Sequence, residues 1–228
     1  MSPGLLAGQV ALVTGASGGL GGAMVRACAA AGAHVVASGR HLRRLDALHR
    51  QVHAAGGQAQ LYPMDLEGAG PADHQQLVEA VLAEYGRLDL LVHCAADFPG
   101  LTPLQHADPA ALARALHVNL TARLWLTQAA LPALQQSAGR VVFAVDRRER
   151  ASQAYWGGYG LAQAAQEGVV AMLRAELAGG GPCVDLLQPP PMPTALRARA
   201  YGHEVEPIQS PQQVAASWLQ DRYGVAQI

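Results

Sequence analysis

The sequence has few charged residues, few aromatic residues and few cysteines. Charged residues make up 14% of the 228 positions and nearly balance, giving a formal net charge of -1, so the chain lacks the basic surface that nucleic-acid binding requires. Its three cysteines, Cys28, Cys94 and Cys183, form no C-x-x-C pair, which argues against a disulfide framework and against a zinc site. We therefore predict no nucleic-acid partner and a reducing, cytoplasmic environment.

Membrane-spanning and metal-binding segments are also lacking. No apolar run approaches the ~20 residues of a transmembrane helix, and Met1 to Leu6 carry no basic segment of the kind that begins an export signal. His49 and His53 lie four residues apart on a predicted helix, but no third ligand accompanies them at suitable spacing. The sequence thus predicts no membrane partner and no metal site.

Apolar residues, in contrast, make up half of the chain and occur as short runs between longer amphipathic segments. This β-α-β-α alternation predicts a single doubly wound α/β domain over residues 1–228, with a mostly parallel sheet and helices on both faces. The predicted strands are Val10–Thr14, His34–Ser38, Ala59–Tyr62, Leu88–Ala95, Arg140–Val145 and Cys183–Leu187.

Three helices can be predicted from a capping residue at their start or from the length of the amphipathic segment. One is predicted from Asp108, which can cap a helix with proline at its first position, toward Leu134. A second covers about Tyr155 to Leu177, and a last short helix begins at Ser210. Residues 188–193 contain four prolines, which lack a backbone donor, so this segment is predicted to be a loop.

The segment between the first strand and the next helix is rich in glycine and reads T-G-x-x-x-G-x-G over residues 14–21. Glycines here let the backbone approach a pyrophosphate, and the following helix presents its unpaired N–H groups to that anion. In this context the sequence resembles the short-chain dehydrogenase/reductase family over nearly the whole chain, which implies a Rossmann fold and hydride transfer with a nicotinamide nucleotide. The residues that the resemblance places at the nucleotide are Gly15, Ser17, Gly19, Leu20 and Gly21.

The end of the second predicted strand bears on which nucleotide binds. In the family an acidic residue at this point binds the ribose diol of NAD, whereas a basic residue suits the 2′-phosphate of NADP. Here Gly39 stands where the acid would be and Arg40 follows. The resemblance therefore implies NADP(H) as the preferred cofactor and NAD(H) as the second choice; the alternative for Arg40 is a solvated arginine at a helix start.

Other positions match the family on the nucleotide side. Asp65 and Leu66 follow the third strand where the family places its adenine-binding Asp, although Asp65 is also typical of an ordinary turn. Ala95 and Thr194 match positions of the fourth-strand and sixth-strand motifs. The flanking residues depart from those motifs, with Cys94 and Ala96 in place of Asn and Gly, and Pro190 in place of Gly.

The catalytic pattern of the family is only partly present. Tyr159 matches the tyrosine that acts as acid and base, and Asn119 matches the helix asparagine. Gln163 stands where a lysine follows the tyrosine by four residues, and Asp146 stands about thirteen residues before the tyrosine, where a serine binds the substrate oxygen. The lost cation and the added anion are both expected to raise the pKa of Tyr159, because each disfavours the phenolate.

These replacements leave three hypotheses about function. The first is an NADP(H)-binding relative whose oxidoreductase activity is weak or absent. The second is a working carbonyl reductase or alcohol dehydrogenase that uses Tyr159 with a protonated Asp146, or with Asp146 paired to Arg147 or Arg148. The third, a structural subunit that binds no nucleotide, is disfavoured by the intact glycines of the phosphate loop.

Two finer expectations follow from the resemblance. The chain resembles the YciK-like branch of the family in Ser38-Gly39-Arg40, Trp156-Gly157-Gly158-Tyr159, Glu167-Gly168 and Thr194-Ala195-Leu196-Arg197. Relatives usually pair through the helices that carry the asparagine and the tyrosine, and 224–228 lack the Asp-Gly-Gly motif of tetramers, so we expect a homodimer. The apolar residues available for pairing are Leu124, Leu126, Leu131 and Val170.

Overall fold

The computed structural model describes residues 4–202 and 209–224 and contains a six-stranded parallel sheet. The strand order is β3-β2-β1-β4-β5-β6, which confirms the predicted doubly wound α/β fold. Every predicted strand is present, with bounds shifted at some ends. The strands are β1 Val10–Thr14, β2 His34–Gly39, β3 Gln58–Pro63, β4 Leu90–His93, β5 Arg140–Ala144 and β6 Cys183–Leu187.

The order of the strands reverses between β1 and β4, so the connections leave these neighbours in opposite directions. Such a switch point opens a crevice at the carboxyl ends of the strands, where ligands bind in this kind of sheet. The strand β4 is shorter than the predicted Leu88–Ala95 because its pairing with β1 ends at Thr14 and His93. Beyond that pair, Cys94 and Ala95 pass close over the turn at Gly15.

Helices cover both faces of the sheet. One face packs against α1, α2 and α9, and the other against α3, α5 and α7, each through its own cluster of buried aliphatic side chains. The helices are α1 Gly19–Ala30, α2 Leu42–Ala54, α3 Pro71–Tyr85, α4 Pro109–Leu116, α5 Ala122–Gln136, α6 Arg148–Ala151, α7 Gly157–Glu176, α8 Ala195–Tyr201 and α9 Pro211–Tyr223.

The helix predicted from Asp108 toward Leu134 is present and begins as expected, but its winding changes part of the way along. Asp108 accepts a hydrogen bond from the Ala111 amide at 2.8 Å, and proline opens the helix. Between α4 and α5 lies a π-helical turn, His117–Thr121, whose wider winding no sequence period signals. The second long helix starts at Gly157, since Tyr155 has a φ of +77° and lies outside it.

Two short helices were not predicted. The helix α8 follows the proline-rich loop, and it forms because the Thr194 hydroxyl accepts a hydrogen bond from the Arg197 amide at 3.2 Å and caps the helix. The charged residues that follow β5 form α6, a single helical turn. Residues 203–208, and residues 225–228 of the C-terminal segment used to argue against a tetramer, lie outside the described residues.

Candidate active site

A cavity of about 300 Å³ opens at the carboxyl end of the sheet, beside the switch point. Of the fourteen residues predicted at the site, thirteen line this cavity, and Asn119 does not. The structure thus brings together residues spread over 180 positions of the chain. The thirteen are Gly15, Ser17, Gly19, Leu20, Gly21, Arg40, Asp65, Leu66, Ala95, Asp146, Tyr159, Gln163 and Thr194.

The phosphate loop has the close backbone approaches that its glycines suggested. Gly15 has a φ of +65°, and a side chain there would come within 2.5 Å of the Ala95 backbone nitrogen. A side chain at Gly21 would overlap the Gly15 carbonyl, and one at Gly19 would lie 2.8 Å from the Thr194 side chain. These glycines leave the first turn of α1, which has no side-chain cap, facing the cavity.

The far end of the cavity carries two exposed arginines. Arg40 follows β2 directly, and Arg44 lies in the first turn of α2; both line the cavity. Asp65 is exposed and turns back to its own loop, accepting a hydrogen bond from the Glu67 amide at 3.2 Å. Leu66 is buried against Val118. Arg44 was not predicted at the site, although its place four residues after Arg40 is a signal in the sequence.

Tyr159 lies deep in the cavity among aromatic rings. Its side chain is buried, and its ring centroid is 5.3 Å from that of Phe98 and 5.6 Å from that of Trp156. Burial raises the pKa of Tyr159 above its usual range, Asp146 raises it further, and Arg123 and Arg150 oppose the rise. The direction agrees with the expectation from the sequence, although burial rather than the nearby charges is the largest cause.

Asp146 follows β5 and is held by an ion pair. The partner is Arg150, one turn along in α6, at 3.0 Å, and not the side chains of Arg147 or Arg148 that the sequence suggested. Arg147 contacts Asp146 through its backbone instead, because its amide donates a hydrogen bond to the Asp146 carboxylate at 2.9 Å. Burial raises the pKa of the Asp146 carboxyl, and the ion pair with Arg150 opposes this.

Gln163 ties two elements of the site together. Its side chain is buried on α7, and its Oε1 accepts a hydrogen bond from the Asp146 backbone amide at 2.8 Å. A lysine at this position could not accept that hydrogen bond. Gln163 therefore holds the end of β5 against α7, while it also lines the cavity.

Asn119 lies behind the cavity, in the π-helical turn. Its Nδ2 donates to the Asp97 carbonyl at 2.8 Å and to the Ala115 carbonyl at 2.7 Å, and its Oδ1 accepts from the Asp97 amide at 2.9 Å. All of these groups are buried or in the helix. In this chain Asn119 holds the segment after β4 against the π-helical turn and does not line the cavity.

Arg123, on α5, also lines the cavity and was not predicted from the sequence. The side chain is 1% exposed, yet it is the only charged residue of α5. A charge on the same helix face as the buried Leu126 and Ala130 was the signal that could have found it. Its hydrogen bonds reach three other segments of the chain.

Three residues that depart from the family motifs after the fourth and sixth strands lie at the cavity. Cys94, Ala96 and Pro190 all line the cavity. Burial raises the pKa of Cys94 to about 12, so its thiol is not ionised near neutrality. Leu196 and Arg199 of α8 also line the cavity, and Arg199 donates a hydrogen bond to the Phe98 carbonyl at 2.8 Å.

A parallel sheet with a glycine-lined cavity at its switch point defines a nucleotide-binding Rossmann protein. The short chain dehydrogenase family model matches residues 9–204, and the chain belongs to that family. No helix among the described residues is long and apolar enough to cross a membrane.

Individual relatives agree with this assignment. The uncharacterized oxidoreductase YciK of Escherichia coli (strain K12) is 32% identical over 212 residues, which cover 92% of this chain and 82% of YciK, so the expected likeness to the YciK-like branch is confirmed. A short chain dehydrogenase from Pseudomonas syringae superposes with a TM-score of 0.90 at 35% identity, over 98% of this chain and 94% of that one. Another, from Escherichia coli CFT073 complexed with NADPH, gives 0.89 at 30% identity over 96% and 92%.

Proposed function

We propose that the protein binds NADP(H) and that its carbonyl and alcohol oxidoreduction is weak or absent. The observation that carries this proposal is the division of the cavity into two halves. One half has the glycine loop with Arg40 and Arg44, which fits a nucleotide with an additional phosphate. The other half has Tyr159 beside a carboxylate and without the expected lysine.

The glycine loop and its helix fit the pyrophosphate of such a nucleotide, because side chains at Gly15 and Gly21 would occupy the space that the backbone needs. Arg40 and Arg44 would hold the 2′-phosphate, and Asp65 and Leu66 would border the adenine. The Escherichia coli CFT073 relative was solved with NADPH, which supports this assignment. When bound, the nucleotide supplies or accepts the hydride.

Tyr159 would donate a proton to a carbonyl oxygen in reduction and accept one from an alcohol in oxidation. A phenol whose pKa is raised is a poorer acid, and its phenolate is scarcer near neutrality. Asp146 places negative charge where an oxyanion would develop, so the transition state gains little stabilisation. Losses of this kind commonly cost about 10²–10⁴ in rate for each group.

A second candidate function is an active reductase in which Asp146 donates the proton. The observation that favours it is the raised pKa of the Asp146 carboxyl, which burial shifts toward the protonated form. In this arrangement Tyr159 would only shape the pocket. The two candidates predict different sensitivities to substitution at Asp146 and Tyr159.

The test is a fluorescence titration with NADPH and NADH, followed by a carbonyl substrate screen. We expect saturable NADPH binding and turnover far below about 1 s⁻¹, the lower end of the usual enzyme range. Turnover at that rate or faster that is abolished by Tyr159→Phe would contradict the proposal. A rate that survives Tyr159→Phe and falls with Asp146→Asn would establish the second candidate. Failure to bind either nucleotide would leave the structural-subunit hypothesis.

We also propose that the protein is a cytoplasmic homodimer. Two of the residues expected at the interface, Leu126 and Val170, are only 1% exposed and belong to the core, so that part of the expectation is wrong. The helix α7 instead exposes Leu161 and Met172, at 50% and 61%. This exposed apolar stripe supports pairing through α7.

A further inference from the structure

Arg123 is a buried cation held by several segments of the active site. Its Nη1 donates to the Ala144 carbonyl at 2.9 Å and to Gln166 Oε1 at 2.5 Å, and its Nη2 donates to the Ala95 carbonyl. These acceptors follow β4, end β5 and lie on α7. The guanidinium therefore lies beneath the carboxyl ends of the two strands that border the cavity.

None of these partners is an anion, so Arg123 keeps an uncompensated charge. Burial lowers its pKa to about 10, which still leaves the side chain protonated near neutrality. Its Nε is buried and has no hydrogen-bond partner among the described residues. Burying a charge without a counter-ion is costly, and a side chain selected only for packing would be apolar.

The composition of the chain bears on this charge. All sixteen basic residues are arginines, and the sequence contains no lysine. Gln163 lies on the same face of α7 as Gln166, the partner of Arg123, and it bonds the amide of residue 146, two positions after the Ala144 carbonyl that Arg123 binds. A side chain at 163 and the Arg123 guanidinium therefore line the same cavity and contact adjacent parts of β5 and α7.

We propose that Arg123 supplies the positive charge of the active site from α5, in place of the lysine that the family pattern puts at position 163 on α7. The positive charge has been moved to another helix and has not been lost. Gln163 and Gln166 then act as positioning residues, one for the end of β5 and one for the guanidinium. This inference rests on the proposed nucleotide function only where it concerns the nicotinamide ring.

Two consequences distinguish this role from packing. A cation beside the nicotinamide disfavours the positively charged oxidised ring relative to the neutral reduced ring, so it favours NADPH over NADP⁺. A lysine introduced at 163 would also lie next to a like charge, which disfavours its protonated form. The first consequence requires a bound nucleotide, and the second does not.

The nucleotide-free test uses Gln163→Lys, which creates the single lysine of the chain. Reductive methylation with ¹³C-formaldehyde makes this amine observable by NMR, so its pKa can be measured directly. We expect that pKa to be lower by about one unit or more with Arg123 present than in Gln163→Lys/Arg123→Gln. Equal values would overturn the proposal. If Arg123→Gln does not fold, Arg123→Met takes its place. If neither of these variants folds and Arg123→Lys, which keeps the charge, does not fold either, Arg123 has a packing role alone.

The second test compares dissociation constants for NADP⁺ and NADPH. We expect Arg123→Gln to lower the NADP⁺/NADPH ratio of these constants by about three- to tenfold. Returning a cation with Gln163→Lys/Arg123→Gln should restore the ratio. An equal loss of affinity for both nucleotides, without rescue, would overturn the proposal. Wild-type protein that binds neither nucleotide would defeat the proposed function, while the amine pKa would still decide the role of Arg123.

Discussion

Arg40 and Arg43 lie three residues apart around the start of α2, and both are exposed. Arg40 lines the cavity and Arg43 does not, so the pair separates a specific contact from a general effect of charge. We expect Arg40→Asp to weaken NADPH binding by about tenfold or more, because a charge-assisted hydrogen bond is lost and a like charge is added. NADH, which lacks the 2′-phosphate, should be affected less.

Fluorescence titration of both nucleotides measures this change of preference. Arg43→Asp is the matched control, since it makes the same change in charge without touching the cavity. Equal affinities of the wild type for NADPH and NADH, or equal losses in the two variants, would contradict the assignment of Arg40.

Asp146 and Gln163 are the two residues whose reversal should raise activity. We expect Asp146→Ser together with Gln163→Lys to raise carbonyl reduction by about 10²-fold or more over the wild type, because a neutral donor replaces the carboxylate and a cation is placed on α7, four residues after Tyr159. Each single change should do less, since residues that act as a unit are not additive.

Arg123 modifies this prediction. The new lysine would meet the buried guanidinium and would also remove the acceptor that Gln163 gives to the Asp146 amide. The gain should therefore be larger when Arg123→Gln is added. Steady-state rates of the double and triple variants check this, and a triple variant slower than the double would show that the two cations do not compete.

The cysteines give a prediction from the pKa of the thiols. Burial raises the pKa of Cys28 and Cys94 to about 12, whereas Cys183 is exposed. The thiolate is the reactive form, and a thiol whose pKa is about 12 is ionised to only about one part in 10⁴ at pH 8. We expect iodoacetamide to modify Cys183 alone in the native protein. Mass spectrometry locates the adduct, Cys183→Ser should remain unmodified, and an adduct at Cys94 of equal yield would contradict the expectation.

Residue-scale predictions from the sequence succeeded where a motif fixed a local backbone shape. The glycine loop is such a case, since Gly15 and Gly21 meet backbone atoms nearby in space. The partner of Asp146 was predicted incorrectly because the helical turn of α6 brings Arg150 back to it, and that turn had not been foreseen. Arg123 was missed because its partners lie 21, 28 and 43 residues away in sequence.

At the scale of elements, the strands could be predicted because a parallel sheet buried on both faces needs continuous apolar runs. The short helix α8 could not, since it depends on one capping hydroxyl rather than on a period. The π-helical turn His117–Thr121 could not be predicted either, because no period in the sequence signals it. Asn119 lies in this turn, and the hydrogen bonds of its side-chain amide join the turn to the segment that follows β4.

Asn119→Ala tests how much this junction contributes to stability. The substitution removes three hydrogen bonds and leaves the buried Asp97 amide without its acceptor. We expect the free energy of unfolding to fall by about 2–4 kcal/mol. Urea unfolding measures the change, with the exposed Gln128→Ala on α5 as a control that should cost less than about 0.5 kcal/mol. A loss for Asn119→Ala no larger than that of the control would mean that the junction is held by packing.

At the scale of the whole molecule, the phosphate loop and the residues around Tyr159 belong to opposite faces of the sheet. Helices α1, α2 and α9 cover one face and the phosphate loop emerges on that side, whereas α5 and α7 cover the other face and carry Arg123 and Tyr159 into the cavity. The outer surface of α7 remains exposed. Along it, residues 161, 165, 168 and 172 follow the i, i+4, i+7, i+11 spacing of one helix face.

This face determines the assembly that we expect. Leu161, Ala165 and Met172 are exposed, and Gly168 between them lets a partner helix approach closely. Two copies related by a two-fold axis would bury the same stripe on each, which makes the contact self-complementary. Light scattering at micromolar concentration should therefore give a mass of about twice the 23.8 kDa of the chain.

Substitutions in the exposed face of α7 test whether it forms the dimer interface. Leu161→Glu with Met172→Glu should dissociate the dimer, because four carboxylates would face one another across the axis at a desolvated contact. Leu42→Glu is the control, since Leu42 is 58% exposed on α2, on the opposite side of the sheet. A dimer mass that persists in the double variant would place the interface elsewhere, and a tetramer mass for the wild type would require a second contact surface that α7 does not provide.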